Sequence, residues 1–268
     1  MKNRTLKIII FVLLGAFIMS IFSACGKKKY KLNLPHGFES EKTAYAEGDT
    51  VKVSYPYFAT DTNYSFYSDA DDVKESFEEG YVFTFTMPAR DVTFWEESYN
   101  SMTYIEPVDY TEKDLADRID NDKMIFDYYQ ATVGTVGGDQ HLEYVLYRWE
   151  EHDLLLARYS KFTVGQEVMR VCRVPVSYFY DCLIAVNRNG MKDWKDGIAI
   201  TGASYVVKFK DGKELTRISS DDMPEDGYKA FADIKAIFEE AWKFYGPAND
   251  PNEGMGIIDD PVILGEDK

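Results

Sequence analysis

The stretch HLEYVLYRWEEHDLLLARYS (141–160) decides the fold. Leu142, Tyr144 and Leu146 alternate with Glu143, Val145 and Tyr147, so the two-residue period of a strand is kept with apolar side chains on both faces. Glu150 to Asp153 makes a polar turn, and Leu154 to Tyr159 returns as a second strand. The mixed apolar run Met124 to Val133 precedes this pair, separated from it by the turn Gly137-Gly138-Asp139. Glu167 to Val174 follows as a fourth strand, stopped by Pro175.

Downstream the period changes. Tyr178, Cys182 and Val186, joined by Phe179 and Leu183, fall on one face of a helix. Ser177 is placed to cap that helix, and Asn189-Gly190 supplies a left-handed exit. Ala203, Tyr205, Val207 and Phe209 alternate into Asp211-Gly212, a hairpin signal, and Leu215 to Ile218 is the partner strand. Asp226 is placed to cap a last helix, whose Phe231, Ile234, Phe238, Ala241, Trp242 and Tyr245 recur at helical spacing before Gly246-Pro247. Residues 121–246 therefore read as an antiparallel-sheet α+β domain with two helices.

Residues 30–99 read as a small all-β unit. Val51 to Tyr55 and Tyr81 to Met87 alternate, Gly48-Asp49 and Glu79-Gly80 supply turns, and Asp91 to Trp95 gives another strand. The pair AYAEGDTVKVSY (44–55) and YVFTFTMPARDVTFWEE (81–97) resembles the internalin-type B-repeat family, whose units carry a GDTV strand and an FTMP…DVT strand in this order. The resemblance covers about a quarter of the chain. It implies a compact β-grasp-like or β-sandwich module, a spacer or interaction surface of cell-surface proteins, with no catalytic residues to carry over. The family's Gly-Trp element is missing, Tyr64-Ser65-Phe66-Tyr67 standing in its place, and there is one copy rather than an array.

The remaining segments frame these two units. Residues 1–24 read as a lipoprotein signal: Lys2, Arg4 and Lys7 precede an apolar run from Ile8 to Ile21, which is too short for the ~20 residues of a spanning helix. The run ends in Phe22-Ser23-Ala24-Cys25, and a thiol directly after small residues is what lipidation requires, so Cys25 is the expected site of a diacylglycerol anchor on the extracytoplasmic face of a cell membrane. Residues 25–29 are a tether whose Lys27-Lys28-Lys29 suits an anionic leaflet. Residues 100–120 read as a junction with Thr111 capping a short turn, and 247–268 as a disordered acidic tail.

A formal net charge of −16, made more negative by removal of the basic signal, repels phosphate and argues against a nucleic-acid partner. Aromatic residues make up 15% of the chain, which favours strand-rich structure. With Cys25 acylated, Cys172 and Cys182 remain. An exported chain permits a disulfide between them, and buried thiols are the other reading.

No catalytic constellation stands out. His36, His141 and His152 read as polar turn residues without metal spacing, and neither remaining Cys lies at ligand spacing from a His. Asp69-Ala70-Asp71-Asp72 lacks the Gly and Glu that complete a calcium loop and reads as a solvated loop. No cofactor and no metal are expected. The feature that leans towards binding is the aromatic group Tyr57, Tyr64, Phe66 and Tyr67. The expectation is a non-enzymatic, lipid-anchored bacterial surface protein whose partner is an envelope or extracellular protein or glycan. A hydrolase or carbohydrate-processing enzyme with its site in 121–246 is the alternative, and a solute-binding lipoprotein is a third.

Overall fold

The structure, a computed structural model, describes residues 27–57, 59, 62–100, 111–133, 140–149, 154–163, 166–194, 202–211, 214–219, 224 and 227–246. Among them the chain divides into two compact units. The first takes the residues up to Ala59 together with Ala70–Trp95. The second takes Thr60–Asp69 and the residues from Glu96 onward. The chain is α+β, mostly antiparallel strand with three described α-helices.

In the first unit β1 (Lys29–Asn33) pairs antiparallel with β3 (Ala44–Ala46) and parallel with the start of β8 (Val92–Asn100). A second sheet has the order β2 (Glu39–Ser40), β4 (Thr50–Tyr55), β7 (Tyr81–Thr86) and β6 (Lys74–Phe77). Alternation in β4 buries Val51, Val53 and Tyr55 and exposes Lys52. The two sheets meet through rings: Phe94 of β8 lies 5.7 Å from both Phe83 and Phe85 of β7, and 5.7 Å from Phe38.

The residues of the two quoted motifs have physical duties here. Gly48, at φ 84°, takes the left-handed backbone that the turn before β4 requires. Its N–H donates to Met87 O at 2.9 Å, and Met87 N–H donates to Asp49 O at 2.9 Å, so the turn of one motif is tied to the end of the other. Asp91 Oδ1 accepts from Lys31 N–H at 2.7 Å.

The second unit is built on a six-stranded antiparallel sheet in the order β12 (Gln166–Pro175), β11 (Leu154–Thr163), β10 (Gln140–Arg148), β9 (Met124–Val133), β13 (Gly202–Asp211) and β14 (Glu214–Ser219). It also holds β5 (Thr62–Ser68) and three helices, α1 (Glu112–Ala116), α2 (Ser177–Arg188) and α3 (Tyr228–Tyr245). Register fixes the two faces. Tyr159, Tyr144, Tyr128 and Val207 lie side by side across four strands, as do Ala157, Leu146, Phe126 and Phe209. This face is packed by α3: Phe238 stacks on Tyr144 at 5.1 Å, Phe231 on Tyr205 at 5.1 Å, and Trp242 lies 5.6 Å from Tyr159.

The opposite face is apolar at one end only. There α1 sets Leu115 among Val145, Tyr147, Trp149, Leu156 and Val171. Thr111 and Asp114 form a reciprocal capping box on α1, and Glu112 Oε1 accepts from Arg170 Nε at 2.6 Å and from Val171 N–H at 3.1 Å. One of the edge strand's outward donors is thereby satisfied.

The first long helix begins differently from expectation, and Asp226, the expected cap of the last, lies outside the described residues. The N-cap of α2 is Val176 and that of α3 is Gly227, and neither makes a side-chain cap hydrogen bond. Ser177 is therefore the first helical residue and not the cap. Gly190 does take the left-handed exit, at φ 62°. No described helix is long and apolar enough to cross a membrane.

Candidate functional site

The second unit offers two surfaces with chemical character. The first is the part of the sheet's second face beyond α1. Glu143 lies in one cross-strand row with Ser160, Met169, Tyr129 and Val206, and Asp127 lies in the next with Val145, Arg158 and Lys208. Arg158 Nη2 donates to Glu143 Oε2 at 2.6 Å, and Lys208 Nζ donates to Asp127 Oδ2 at 2.7 Å. Asp127 is 5% exposed, so its cation is needed to hold a charge there. Burial raises the Glu143 carboxyl; Arg158 pulls it back, Asp127 adds to the rise, and the net shift is upward. Burial likewise pushes the Tyr147 phenol up to about 12.

His141 is not in a turn. It sits in β10 with its ring stacked between Tyr129 at 5.7 Å and Phe162 at 5.1 Å. Two further side chains of this face, Met169 and Leu215, are 48% and 54% exposed.

The second surface is a groove of about 700 Å³ along α2 and α3. Tyr178 meets Tyr245 edge-on at 5.9 Å at one end, and Asn189 Nδ2 donates to Asp233 Oδ2 at 3.3 Å at the other, so the helices run antiparallel. Between these ends stand Asp181 and Glu240, with Ile184, Ala185, Ala236 and Ile237 as the apolar floor. Neither Asp181 nor Glu240 has a hydrogen bond or short ion pair to a described residue. Although Asp181 reaches water, burial in the groove raises its carboxyl, Glu240 adds to the rise, and Arg188 opposes it. Tyr178 is raised by burial and by Tyr245, Glu240 and Asp181.

The aromatic group of the first half is divided between the two units. Tyr57 is 62% exposed and belongs to the first unit, whereas Tyr64, Phe66 and Tyr67 lie in β5 of the second. Tyr64 and Phe66 stack at 6.1 Å, and Tyr67 stacks on Tyr180 of α2 at 4.2 Å. Tyr180 O–H donates to Glu97 Oε1 at 2.6 Å, an oxygen that also accepts from Arg148 at 3.1 Å. Tyr67 is thus engaged within its own unit. Asp69, read from sequence as part of a solvated loop, is 1% exposed and accepts from Asn187 Nδ2 at 2.9 Å.

Cys172 and Cys182 are free buried thiols, the second of the two readings. Burial pushes Cys172 up to about 12 and holds Cys182 well above the ordinary thiol range, so neither is a thiolate nucleophile near neutral pH. Among the described residues no group of three His, Cys, Asp or Glu side chains has the geometry of a metal site. Cys25 and His152 lie outside the described residues. Sequence reasoning missed Asp127, Asp181, Glu240 and the stack around His141; the visible signal was Asp181 three residues after Tyr178, on the flank of the apolar stripe.

No protein-family model matches this chain, and no curated protein matches it.

Proposed function

We propose that the chain is a lipid-anchored surface protein of a bacterial envelope, held through diacylglycerol on Cys25 at the extracytoplasmic face. The first unit serves as a B-repeat-like spacer of β-grasp or β-sandwich type, and the second contacts an envelope or extracellular protein or glycan. The observation that carries the reading is the Phe22-Ser23-Ala24-Cys25 box closing a basic and apolar leader. The spacer reading is supported by the paired bonds between Gly48, Asp49 and Met87, which give both quoted motifs a place in one core.

Recognition without chemistry is supported by the second face of the sheet. Its two carboxylates are each held by a cation, leaving neither poised as a nucleophile, while charge pairs beside exposed Met169 and Leu215 make a mixed surface of the kind proteins use for contact. The hydrolase reading draws on one observation, that Asp127, His141 and Glu143 share this face; the same pairing weakens it.

The test is membrane fractionation with Cys25→Ser. The variant is expected in the soluble fraction without acyl labelling, and surface-exposed material should enrich a partner on the anchored chain over a lipid-only control. Unchanged fractionation would sink the anchor, and no enrichment would sink the partner reading.

A further inference from the structure

We infer that Asn63 is an acceptor site for an N-linked glycan, attached as the chain is exported. The inference rests on the export reading of the leader and goes beyond it by assigning a covalent modification to the second unit. The triplet Asn63-Tyr64-Ser65 has the acceptor pattern, an asparagine with a hydroxyl residue two places on and no proline between them. Beyond residue 24 no other asparagine is followed two places later by Ser or Thr. Asp61 stands two places before the asparagine, an acid that an arginine in the acceptor pocket of a transferase would hold as a charge-assisted pair.

The fold leaves both ends of the triplet open. Asn63 and Ser65 lie in β5, where residues two apart point to the same side of the strand, and both are exposed. Strand rise sets them about 6.6 Å apart along the chain, within reach of one peptide-binding pocket. Packing falls to the other side, where Tyr64 and Phe66 are half-buried and stack at 6.1 Å. Neither the Asn63 nor the Ser65 side chain has a hydrogen bond to a described residue. A sugar on Asn63 therefore breaks no contact of the fold. β5 is also the last strand in the order of its sheet, and edge strands open more readily than central ones.

The donor is a glycosyl polyprenyl diphosphate, supplied with the transferase by the exporting cell. Asn63 Nδ2 forms a bond to the anomeric carbon of the first sugar. The bond from that carbon to the diphosphate oxygen breaks, the leaving diphosphate takes the electron pair, and Nδ2 gives up one proton to a base of the transferase. The Ser65 hydroxyl, both donor and acceptor, is the recognition group two places on. The product carries a hydrated, bulky group on the exposed side of β5, where solvation costs the fold nothing.

The experiment is peptide mass spectrometry of the full chain recovered from the cells that make it, alongside Asn63→Gln, Ser65→Ala and Ser65→Thr. A glycan mass is expected on the peptide holding Asn63, and the parent chain should run slower on a gel than Asn63→Gln. Ser65→Ala is expected to lose the glycan and Ser65→Thr to keep it, while thermal melts confirm that each variant is folded. An exported, acyl-labelled chain with Asn63 bare overturns the inference and leaves the anchor reading standing. A glycan found on Ser65 in place of Asn63, or one kept on Asn63 in the folded Ser65→Ala variant, overturns it too. A chain held inside the cell with Asn63 bare overturns both readings, whereas a glycosylated chain that captures no partner supports this one and counts only against the partner contact.

Discussion

On the second face of the sheet, Glu143 and Asp127 each have a cation within hydrogen-bonding distance, at 2.6 and 2.7 Å; along the helix groove, Asp181 has a second acid, Glu240, beside it and Arg188 opposing from further off. Both sites lie in one unit and both raise a carboxyl, yet for different reasons. Glu143 is raised by burial in spite of Arg158, whereas Asp181 is raised by burial and by a second acid. A compensated pair is part of the fold's own economy of charge. A like-charged pair of exposed carboxylates, opposed by Arg188 without a short ion pair, is a feature the fold tolerates.

The largest effect that separates them is expected from Lys208→Met. It leaves Asp127 buried without its cation and should cost about 3 kcal/mol in denaturant unfolding. Arg158→Leu follows at about 2 kcal/mol, through the half-buried Glu143. It should also move the Glu143 titration further upward, which carboxyl NMR reads directly. A Glu143 titration that did not move would mean Arg158 is not its effective partner.

The smallest effect has the opposite sign. Asp181→Asn removes a like-charge contact at the surface and should raise stability at neutral pH by about 0.5 kcal/mol. Its pH dependence follows from the direction of the shift. Asp181 holds its proton more tightly folded than unfolded, so its favourable contribution is fully present below the unfolded value and is lost as pH rises through the folded one. The stability of the variant should therefore fall less than that of the parent chain across that window. An equal fall in both would remove the distinction between the two sites.

Much of the sheet was legible because alternation survives packing. Val51 and Val53 are buried on either side of exposed Lys52, and the run from Leu142 to Tyr147, apolar on both faces, is buried at all positions except Glu143. Helix existence was legible from the apolar stripe, but the stripe named too many core residues. Phe231, Ile234, Phe238, Ala241 and Trp242 are buried, while Tyr245 is 46% exposed and meets Tyr178 at the groove. Periodicity gives a direction around the helix and not how far the neighbouring helix reaches.

One helix start was misplaced for a related reason. Ser177 has the right chemistry for a cap, but the chain enters α2 in helical geometry already at Val176. The aromatic group 57–67 is divided between the two units, which the sequence alone did not indicate. Tyr57 stays with the first unit, and β5 is drawn into the second, where Tyr67 finds Tyr180.

By itself the sequence determined the α+β character and the apolar rows of the sheet, because these follow from two- and 3.6-residue periods that any folded form must respect. It also set the acidic balance and the Cys25 box, which are properties of composition and local order. Only the tertiary structure decided which acids meet which partners. Arg158 reaches Glu143 across fifteen residues, Lys208 reaches Asp127 across eighty-one, and Asp181 faces Glu240 from a different helix. No local period encodes such a meeting, because it depends on strand register and on how two helices lie against each other.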